Sequence, residues 1–402
     1  MTLKEVYIVD AVRTPIGRYK GALKTIRPDD LAAIAIKGLL QRNPEVPAEE
    51  IEEVVLGNAN GAGEENRNVA RMVALLAGLP VETGGTTLNR LCGSGLDAVN
   101  YAARAILANE GDIFIAGGTE SMTRAPFVMG KPGTDFPRGN MEMFDTTIGW
   151  RFVNPQIEEK FGTDSMPQTA ENVARKYGIS REAQDEFAYQ SQLKAKAAME
   201  QDKFRDEIIP VEVKDRKGNV IVVDRDEHPR PNTTMEGLAK LRPIFDGGTV
   251  TAGNASGVND GASALLLMSG EKVKELCVKP LGKYVVSAVA GLEPSVMGLG
   301  PIYATQKALM RSGLSADDLG LIELNEAFAS QSLECIKQLG LNPEKVNVNG
   351  GSIAFGHPLG ASGARILTTL LHEMKRKDDV EYGLATMCIG VGQGIATIVK
   401  KS

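Results

Sequence analysis

The chain has 402 residues and a formal net charge of −6, and 43% of its residues are hydrophobic and 24% charged. A chain of this length predicts two or three domains, and the composition is typical of a globular protein that folds in water. The negative charge argues against a nucleic-acid-binding surface as the main function, although it is compatible with a local basic patch for a phosphorylated ligand.

No targeting or membrane segment is visible in the sequence. The chain enters an apolar, strand-like pattern almost at its first residue, without a secretory or transit leader, and its end matches no retention or lipidation signal. No apolar run approaches the ~18 residues of a membrane span. These features predict a cytoplasmic enzyme with neither a membrane nor a nucleic acid as partner.

Four cysteines and three histidines limit the metal and redox chemistry. No two cysteines have the spacing of a Cys-x-x-Cys motif, so we expect no metal site, and a disulfide scaffold is not expected in so long a chain. Each cysteine is then either core filler or a reactive thiol. We interpret Cys277 and Cys335 as filler, and His228 and His372, which lie among charged residues, as solvated.

Apolar runs alternate with helical patterns along the chain. The predicted strands are Val6–Val9, Glu53–Leu56, Ile113–Ala116, Leu321–Leu324, Lys345–Val348, Gly383–Met387 and Ile395–Val399. Helical patterns include Asp97–Ala108 and Ala364–Lys375. The alternation predicts an α/β fold with parallel, doubly wound sheets.

A weak internal repeat relates the two ends of the chain. Leu91–Ala98 resembles Leu359–Ile366, which lies 268 positions later, and the same offset carries Val54–Gly57 onto Ile322–Asn325. A chance match of small residues is the alternative. Two stretches with one offset favour a duplicated α/β unit.

The stretch between the two halves has a different character. Asn140–Pro155 is rich in aromatic residues and Met, Arg181–Asp206 has the pattern of two charged amphipathic helices, and Asp215–Arg230 is a polar hairpin or loop. We interpret this stretch as an insertion that covers the sheet domains.

Two residues have the setting of a nucleophile and its base. Cys92 precedes Gly93–Gly95 and a helix, so its sulfur is expected at a helix N-terminus, where the dipole and free amides favour the thiolate. The alternative is a small residue that closes a tight turn. His357 lies in a loop rich in Gly and Ala before Pro358, where it could serve as base for a thiol or cap the next helix.

Two further residues end predicted strands. Cys388 begins a glycine-rich turn that reaches Gly394, and backbone amides in such a turn can donate to an oxyanion. The glycine spacing is wrong for a dinucleotide-binding loop. Asn325 follows the strand Leu321–Leu324, where it could hold a water or a carbonyl group, cap the next helix, or do both.

In this order, these segments resemble the thiolase family along the whole chain, together with Arg13–Gly17, Gly117–Met122 and Thr251–Ala262. The resemblance implies a thiolase-like five-layer αβαβα fold with two duplicated halves. The halves would be residues 1–120 plus 250–275 and residues 276–402, and residues 121–249 would be an inserted loop domain for oligomerisation and coenzyme A (CoA) binding. It also implies a homotetramer, built as a dimer of dimers.

The resemblance implies a role for each candidate residue. Cys92 would be the nucleophile that becomes acylated, His357 would activate it and help form an oxyanion hole, and Cys388 would move protons to and from the second substrate. Asn325 would hold the water of the first oxyanion hole, and the amides of Cys92 and Gly390 would form the second.

CoA is implied as a substrate, with no metal or organic cofactor. Ser256, Met166, Phe328 and Arg230 fall on positions that contact CoA in the family. For Arg230, a phosphate partner and a solvated charge are both compatible with the sequence.

Four stretches resemble the β-ketoadipyl-CoA thiolase branch: Gly17–Leu23, Asn66–Arg71, Arg124–Gly130 and Glu142–Phe152. That branch cleaves 3-oxoadipyl-CoA to succinyl-CoA and acetyl-CoA in aromatic degradation. A terminal carboxylate needs a cationic or amide partner, for which Arg151 is a candidate, although its loop could instead pack a subunit interface.

Three other functions remain open at this point. The chain has Ser165-Met166 where short-chain biosynthetic thiolases have His-Met. This difference weakens the hypothesis of an acetyl-CoA acetyltransferase that acts on acetoacetyl-CoA but does not exclude it. A decarboxylating 3-oxoacyl synthase shares the fold but lacks the second cysteine. A catalytically inactive thiolase-like lipid-binding protein is disfavoured because Cys92, His357 and Cys388 are all present.

Overall fold

A computed structural model describes residues 4–215 and 217–402 of the chain. Its strands are β1 Val6–Arg13, β2 Gly17–Arg18, β3 Glu53–Gly57, β4 Gly84–Leu88, β5 Ile113–Ser121, β6 Phe127–Val128, β7 Phe144–Asp145, β8 Val211–Lys214, β9 Val220–Val223, β10 Asn259–Ser269, β11 Gly282–Gly291, β12 Leu319–Leu324, β13 Tyr382–Ile389 and β14 Gln393–Lys401. Its helices are α1 Pro28–Arg42, α2 Val69–Ala77, α3 Ser94–Leu107, α4 Pro155–Phe161, α5 Met166–Tyr177, α6 Arg181–Glu200, α7 Met235–Ala239, α8 Gly270–Glu275, α9 Gly300–Ser312, α10 Ala329–Leu339, α11 Ser352–Phe355 and α12 Leu359–Arg376.

The main sheet contains two copies of one strand arrangement. β1 and β11 pair at its centre, with Tyr7 opposite Lys283. Outward from this pair, the order is β10, β5, β3 and β4 on one side and β14, β13 and β12 on the other. The 268-residue offset carries β3 onto β12 and β5 onto β13. The predicted duplication is confirmed.

Helices separate and cover the two halves of the sheet. α3 and α12 pack against each other in the middle: α3 contacts β3 and β5, and α12 contacts β5 and β10 of the first half and β12 and β13 of the second. α1 and α2 cover the outer face of the first half, and α9 covers that of the second. One apolar core, shared by both half-sheets, surrounds α3 and α12, and a separate core lies on the outer face of each half-sheet. The predicted five-layer αβαβα arrangement is confirmed.

The prediction of parallel sheets is wrong for most strand pairs. Among the strands of the described residues, only β3 with its neighbours β4 and β5, and β12 with β13, run parallel. β10 and β14 run antiparallel to both of their main neighbours. The short turn between β13 and β14 permits only an antiparallel pair, because a parallel connection needs a long crossover.

The two central helices touch through glycines that the repeat relates. A Cβ atom on Gly95 of α3 would lie 2.6 Å from the carbonyl oxygen of Gly360 and 3.0 Å from the amide nitrogen of Ala364 in α12. A Cβ atom on Gly363, the repeat partner of Gly95, would lie 2.4 Å from the amide nitrogen of Leu96. The closeness of the two backbones therefore requires glycine at both positions.

Two local predictions are corrected. Lys345–Val348 is not a strand: Pro343–Lys345 forms a 3-10 turn that the Asn342 side chain caps, and Val346 makes one isolated bridge to Ile322. Arg181–Asp206 contains one helix, α6, rather than two, because no glycine or proline interrupts it before Glu200.

The inserted stretch between β5 and β10 is built from small elements. It holds the β6–β7 pair, helices α4 to α7 and the β8–β9 hairpin, and α5 and α6 pack against α10 of the second half. Arg216, in the predicted polar hairpin, and residues 1–3 at the predicted N-terminal strand entry lie outside the described residues. In the described part of the chain, no helix combines the length and the apolar character needed to cross a bilayer.

Candidate active site

Cys92 lies in a sharp turn between β4 and α3. Leu91, which precedes it, has φ = 46°, a left-handed conformation that is unfavourable for a branched side chain. The Ser94 hydroxyl holds the turn: it accepts from the amide of Arg90 at 2.8 Å and donates to the carbonyl of Leu91 at 2.6 Å. Because α3 begins at Ser94, the thiol lies at the helix N-terminus, as predicted.

The backbone amides of Cys92 and Gly390 lie close enough to the Cys92 sulfur to lower its pKa. Burial, with a smaller contribution from the Glu120 carboxylate, raises the pKa of Cys92 to about 11 against the opposing effect of the two amides. The amides act in the direction expected at a helix N-terminus, but the removal of the sulfur from water outweighs them. The thiol is protonated at neutral pH.

The His357 ring has a defined tautomer. Its Nδ1 atom lies 2.6 Å from the hydroxyl of Ser362, and that hydroxyl donates its own proton to the carbonyl of Pro358 at 2.9 Å. Ser362 must then accept from His357, so Nδ1 carries the proton and Nε2 has a free lone pair. Among the described residues, the buried Nε2 atom has no hydrogen-bond partner. Burial, aided by Arg365, lowers the pKa of His357 to about 3, so the ring is neutral.

The backbone around His357 is fixed by Asn259. The Asn259 side chain accepts from the amide of His357 at 3.0 Å. Gly356 has φ = 95°, and a Cβ atom there would lie 2.2 Å from the Asn259 side chain, so only glycine fits. The ring bonds a side chain, Ser362, rather than a free amide at the start of α12, which disfavours the helix-cap interpretation.

Asn325 directly follows β12, beside the strand that carries Cys388. Its amide donates to the carbonyl of Thr386 at 3.0 Å, and its side-chain oxygen accepts from the hydroxyl of Ser352 at 2.6 Å. The buried Nδ2 atom has no partner in the described part of the chain. α10 begins later, with Phe328 at the cap position, so the alternative that Asn325 caps this helix is wrong. Nδ2 is a free donor for a water or a carbonyl oxygen.

Cys388 is buried near the end of β13. Burial raises the pKa of Cys388 strongly, and Cys92 contributes to the rise. Cys388 packs in an apolar cluster with Phe328 and Met166. Its thiol therefore holds a proton at neutral pH.

A cavity of about 280 Å³ opens beside Cys92. Its lining residues are Ala59, Asn60, Leu91, Cys92, Glu120, Met122, Ala125, Thr146, Thr147, Ile148, Gly149, Trp150, Arg151, Asp164, Ser165, Met166, Leu359, Gly390 and Val391. From the sequence, a catalytic role was predicted for Cys92 and Gly390, and contact with CoA for Met166. His357 lies two residues before the lining residue Leu359.

The other predicted CoA contacts lie at different distances from this cavity. Phe328 packs with Met166 beside it, and the amide of Ser256 donates to the carbonyl of Ala327 at 2.9 Å, which places Ser256 next to Phe328. Arg230 is exposed and lines a separate cleft together with His228. The structure thus brings Met166, Phe328 and Ser256 together and leaves Arg230 apart.

Glu120 is a functional candidate that sequence reasoning missed. Its carboxylate lines the cavity and accepts from three backbone amides: Ala59 at 2.8 Å, Asn60 at 3.2 Å and Gly360 at 2.8 Å. Burial nevertheless raises the pKa of Glu120 to about 7. The 268-residue offset that relates Glu120 to Cys388 was the signal that could have found it.

The predicted environments of the remaining cysteines and histidines are confirmed only in part. Cys277 is exposed and Cys335 buried, as expected of filler. His372 is buried, with Nε2 at 2.8 Å from the carbonyl of Ala11, so its assignment as solvated is wrong. His228 is partly buried, and burial lowers its pKa to about 4. Within residues 4–215 and 217–402, no three His, Cys, Asp or Glu side chains are grouped as metal ligands.

Comparison with known proteins identifies the class. Residues 6–271 match the family model for the thiolase N-terminal domain, and residues 278–401 match that for the thiolase C-terminal domain. The chain belongs to the thiolase family, as the sequence motifs implied, and it is an acyltransferase.

Individual relatives match over the full length. The 3-oxoadipyl-CoA/3-oxo-5,6-dehydrosuberyl-CoA thiolase of Escherichia coli K12 is 56% identical over 402 residues, which cover 99% of this chain and 100% of the relative. A β-ketoadipyl-CoA thiolase of Acinetobacter baylyi is 54% identical over the same shares of the two chains. The crystal structure of human mitochondrial 3-ketoacyl-CoA thiolase has a TM-score of 0.93 at 42% identity, with 100% of both chains covered.

Proposed function

We propose that this thiolase cleaves 3-oxoadipyl-CoA with free CoA to succinyl-CoA and acetyl-CoA, through an acyl intermediate on Cys92. The substrate is supported by the 54–56% full-length identity to relatives named for it. The cysteine chemistry is carried by one observation: Cys92 and Gly390 line the same cavity, and the backbone amides of both act on the Cys92 sulfur.

The first step is attack on the ketone carbon, C3. His357 Nε2, with its free lone pair, takes the Cys92 proton, and the sulfur forms a bond to C3. The C3 oxygen becomes an oxyanion, and the amides of Cys92 and Gly390 stabilise it. Without substrate, the pKa of Cys92 is about 11 and that of His357 about 3. The proton of Cys92 therefore moves to His357 only when the substrate is in place.

The second step breaks the bond between C2 and C3. The electron pair of this bond remains on C2 as the enolate of acetyl-CoA, and the protonated Cys388 thiol donates its proton to C2. The enolate oxygen is stabilised by the Nε2–H of His357 and by a water held on Nδ2 of Asn325. Acetyl-CoA leaves, and a succinyl thioester remains on Cys92.

The third step transfers the succinyl group to CoA. The Cys388 thiolate takes the proton of the CoA thiol, whose sulfur attacks the thioester carbon. Cys92 departs as a thiolate and recovers its proton from His357. All protons are returned to their starting atoms, and the exchange of one thioester for another keeps the reaction reversible. CoA is a substrate, and the chemistry needs no further cofactor.

CoA is proposed to lie across the inserted stretch, residues 121–249. Met166, Ser256 and Phe328 would contact its pantetheine arm next to Cys92. Arg230 would bind a phosphate group at a distance, since its cleft is separate from the cavity.

We also propose that the protein is a cytoplasmic homotetramer and that the inserted stretch helps to assemble it. In this proposal, the inserted stretch lies between a first half, residues 1–120 plus 250–275, and a second half, residues 276–402. Its large apolar side chains are exposed on the single chain, as expected of a surface that another subunit covers. They include Phe127, Met129, Phe136, Met141, Met143, Ile148, Phe152 and Val153.

Thiolysis of 3-oxoadipyl-CoA and of acetoacetyl-CoA, at identical free CoA, tests this function. We expect a strong preference for 3-oxoadipyl-CoA, with succinyl-CoA as product, and no turnover by the Cys92→Ala variant. A preference for acetoacetyl-CoA would make the protein an acetyl-CoA acetyltransferase. Full turnover by Cys92→Ala would overturn the mechanism.

A further inference from the structure

We propose that Arg151, held in place by Asn60, binds the terminal carboxylate of the acyl chain and so selects dicarboxylyl-CoA substrates. This inference rests on the proposed function, because it names the residue that recognises the end of the substrate far from C3. Both residues line the cavity beside Cys92.

Arg151 is the only cationic side chain among the lining residues of this cavity. Two carboxylates also line it, and both have hydrogen-bond donors of their own. Glu120 accepts from backbone amides, and Asp164 accepts from Nδ2 of Asn172 at 2.8 Å. Neither forms a salt bridge with Arg151, whose charge remains available to an anion in the cavity.

The absence of a counter-ion distinguishes Arg151 from other partly buried arginines near it. Arg124 bonds the carboxylate of Glu64, and Arg90 bonds that of Asp97 at 2.7 Å. No carboxylate of the described residues lies within salt-bridge distance of Arg151. A guanidinium is always charged and has five N–H donors in a planar fork, so a partly buried one without a carboxylate is suited to bind one bidentately.

Asn60 fixes the direction of the guanidinium. Its Nδ2 atom donates to the carbonyl oxygen of Thr146 at 3.1 Å and to the Thr146 hydroxyl at 2.9 Å. Because a carbonyl oxygen only accepts, the Asn60 side-chain oxygen must face the other way, toward Nη2 of Arg151 at 3.3 Å. This neutral contact uses one of the five donors and leaves the charge uncompensated.

The same chemistry could recognise a phosphate of CoA rather than the acyl carboxylate. The two sources are separated by comparing substrates that share CoA and differ only at the chain end. 3-Oxoadipyl-CoA and 3-oxohexanoyl-CoA both have six acyl carbons, and only the first ends in a carboxylate. A contact to CoA affects both equally, whereas a contact to the acyl carboxylate affects only the first.

The experiment measures kcat/KM for both substrates in the wild type and in Arg151→Met and Arg151→Lys variants. We expect Arg151→Met to lose about 10- to 100-fold on 3-oxoadipyl-CoA, the effect of one charge-assisted contact, and to change less than about 3-fold on 3-oxohexanoyl-CoA. Arg151→Lys should recover part of the preference. Arg138→Met is the matched control, because Arg138 is exposed in the same stretch and does not line the cavity.

An equal loss on both substrates, or a raised KM for CoA, would overturn the inference in favour of a CoA-binding or structural role. Retention of the wild-type preference in Arg151→Met would overturn it as well. If the wild type itself does not prefer 3-oxoadipyl-CoA, the proposed function fails. If the wild type has this preference and Arg151→Met keeps it, only the inference fails, so the two failures are distinguishable.

Discussion

The carboxylate of Glu120 accepts a hydrogen bond from the amide of Gly360 at 2.8 Å, where the end of β5 meets the start of α12. The 268-residue offset carries Glu120 onto Cys388 and Cys92 onto Gly360. The other junction is built differently: there the backbone amide of Gly390, directly after β13, acts on the side chain of Cys92, just before α3. One junction of the duplicated fold thus holds a helix with a carboxylate, and the other holds the proposed nucleophile.

Glu120→Gln should destabilise the protein. The amides of Ala59 and Gly360 both donate to one oxygen of the Glu120 carboxylate, and the amide of Asn60 donates to the other. The NH2 group of Gln would replace one of these two oxygens and would therefore face backbone N–H donors in either orientation. We expect a loss of roughly 1–3 kcal/mol in the free energy of unfolding. Urea unfolding at pH 8, above the pKa of about 7, measures it with the carboxylate ionised. Glu381→Gln, at an exposed surface pair, is the control and should change little.

Gly95→Ala tests the contact between the central helices. Alanine is the better helix former by about 1 kcal/mol, so propensity alone predicts stabilisation. The new Cβ atom would lie 2.6 Å from a backbone oxygen in α12, so we expect a net loss of about 2 kcal/mol or more. Thermal unfolding decides between the two effects. Gly133→Ala, where nothing lies within 4 Å of the new Cβ atom, should be close to neutral.

Alkylation of Cys92 by iodoacetamide should depend steeply on pH. The raised thiol pKa of about 11 disfavours the thiolate, and the lowered His357 pKa of about 3 disfavours an imidazolium that would stabilise it. We expect the rate, followed by peptide mapping, to rise continuously up to about pH 10. The exposed Cys277 serves as an internal reference. A plateau below pH 8 would instead indicate a preformed thiolate–imidazolium pair.

Ser362→Ala should impair the base without removing it. The Ser362 hydroxyl keeps the proton of His357 on Nδ1 and leaves Nε2 free for the Cys92 proton. Without it, we expect kcat to fall about 10- to 100-fold, a part of what general base catalysis contributes, with little change in KM. Ser315→Ala, at an exposed serine, is the comparison variant. A change confined to KM would assign Ser362 to substrate binding.

The sequence allowed the halves and their offset to be predicted, because a duplicated strand and turn retain their small residues. Gly95 and Gly363 are such a pair at the 268-residue offset. The structure explains why both are glycine, because the backbones of α3 and α12 are in contact there. Strand direction could not be read in the same way. β10 and β14 have the apolar character of buried parallel strands, and only the chain connections make them antiparallel.

The candidate site was predictable where one motif places one residue, as for Cys92, His357 and Cys388. Their electrostatics were not, because burial decides the pKa of Cys92 and depends on side chains distant in sequence. Glu120 was missed because its partners are backbone amides from two segments distant from it in sequence, Ala59–Asn60 and Gly360. Arg151 was named from its chemistry, but its uncompensated charge becomes apparent only in the folded cavity.

The central claim is the acyl intermediate on Cys92, and mass spectrometry of the intact protein tests it most directly. Incubation with 3-oxoadipyl-CoA in the absence of free CoA should release one acetyl-CoA per active site and add one succinyl group, which peptide mapping should locate on Cys92. The Cys92→Ser variant should gain no such group at the same rate. A wild-type enzyme that turns over the substrate while the group is absent, or is located on Cys388, would contradict the account.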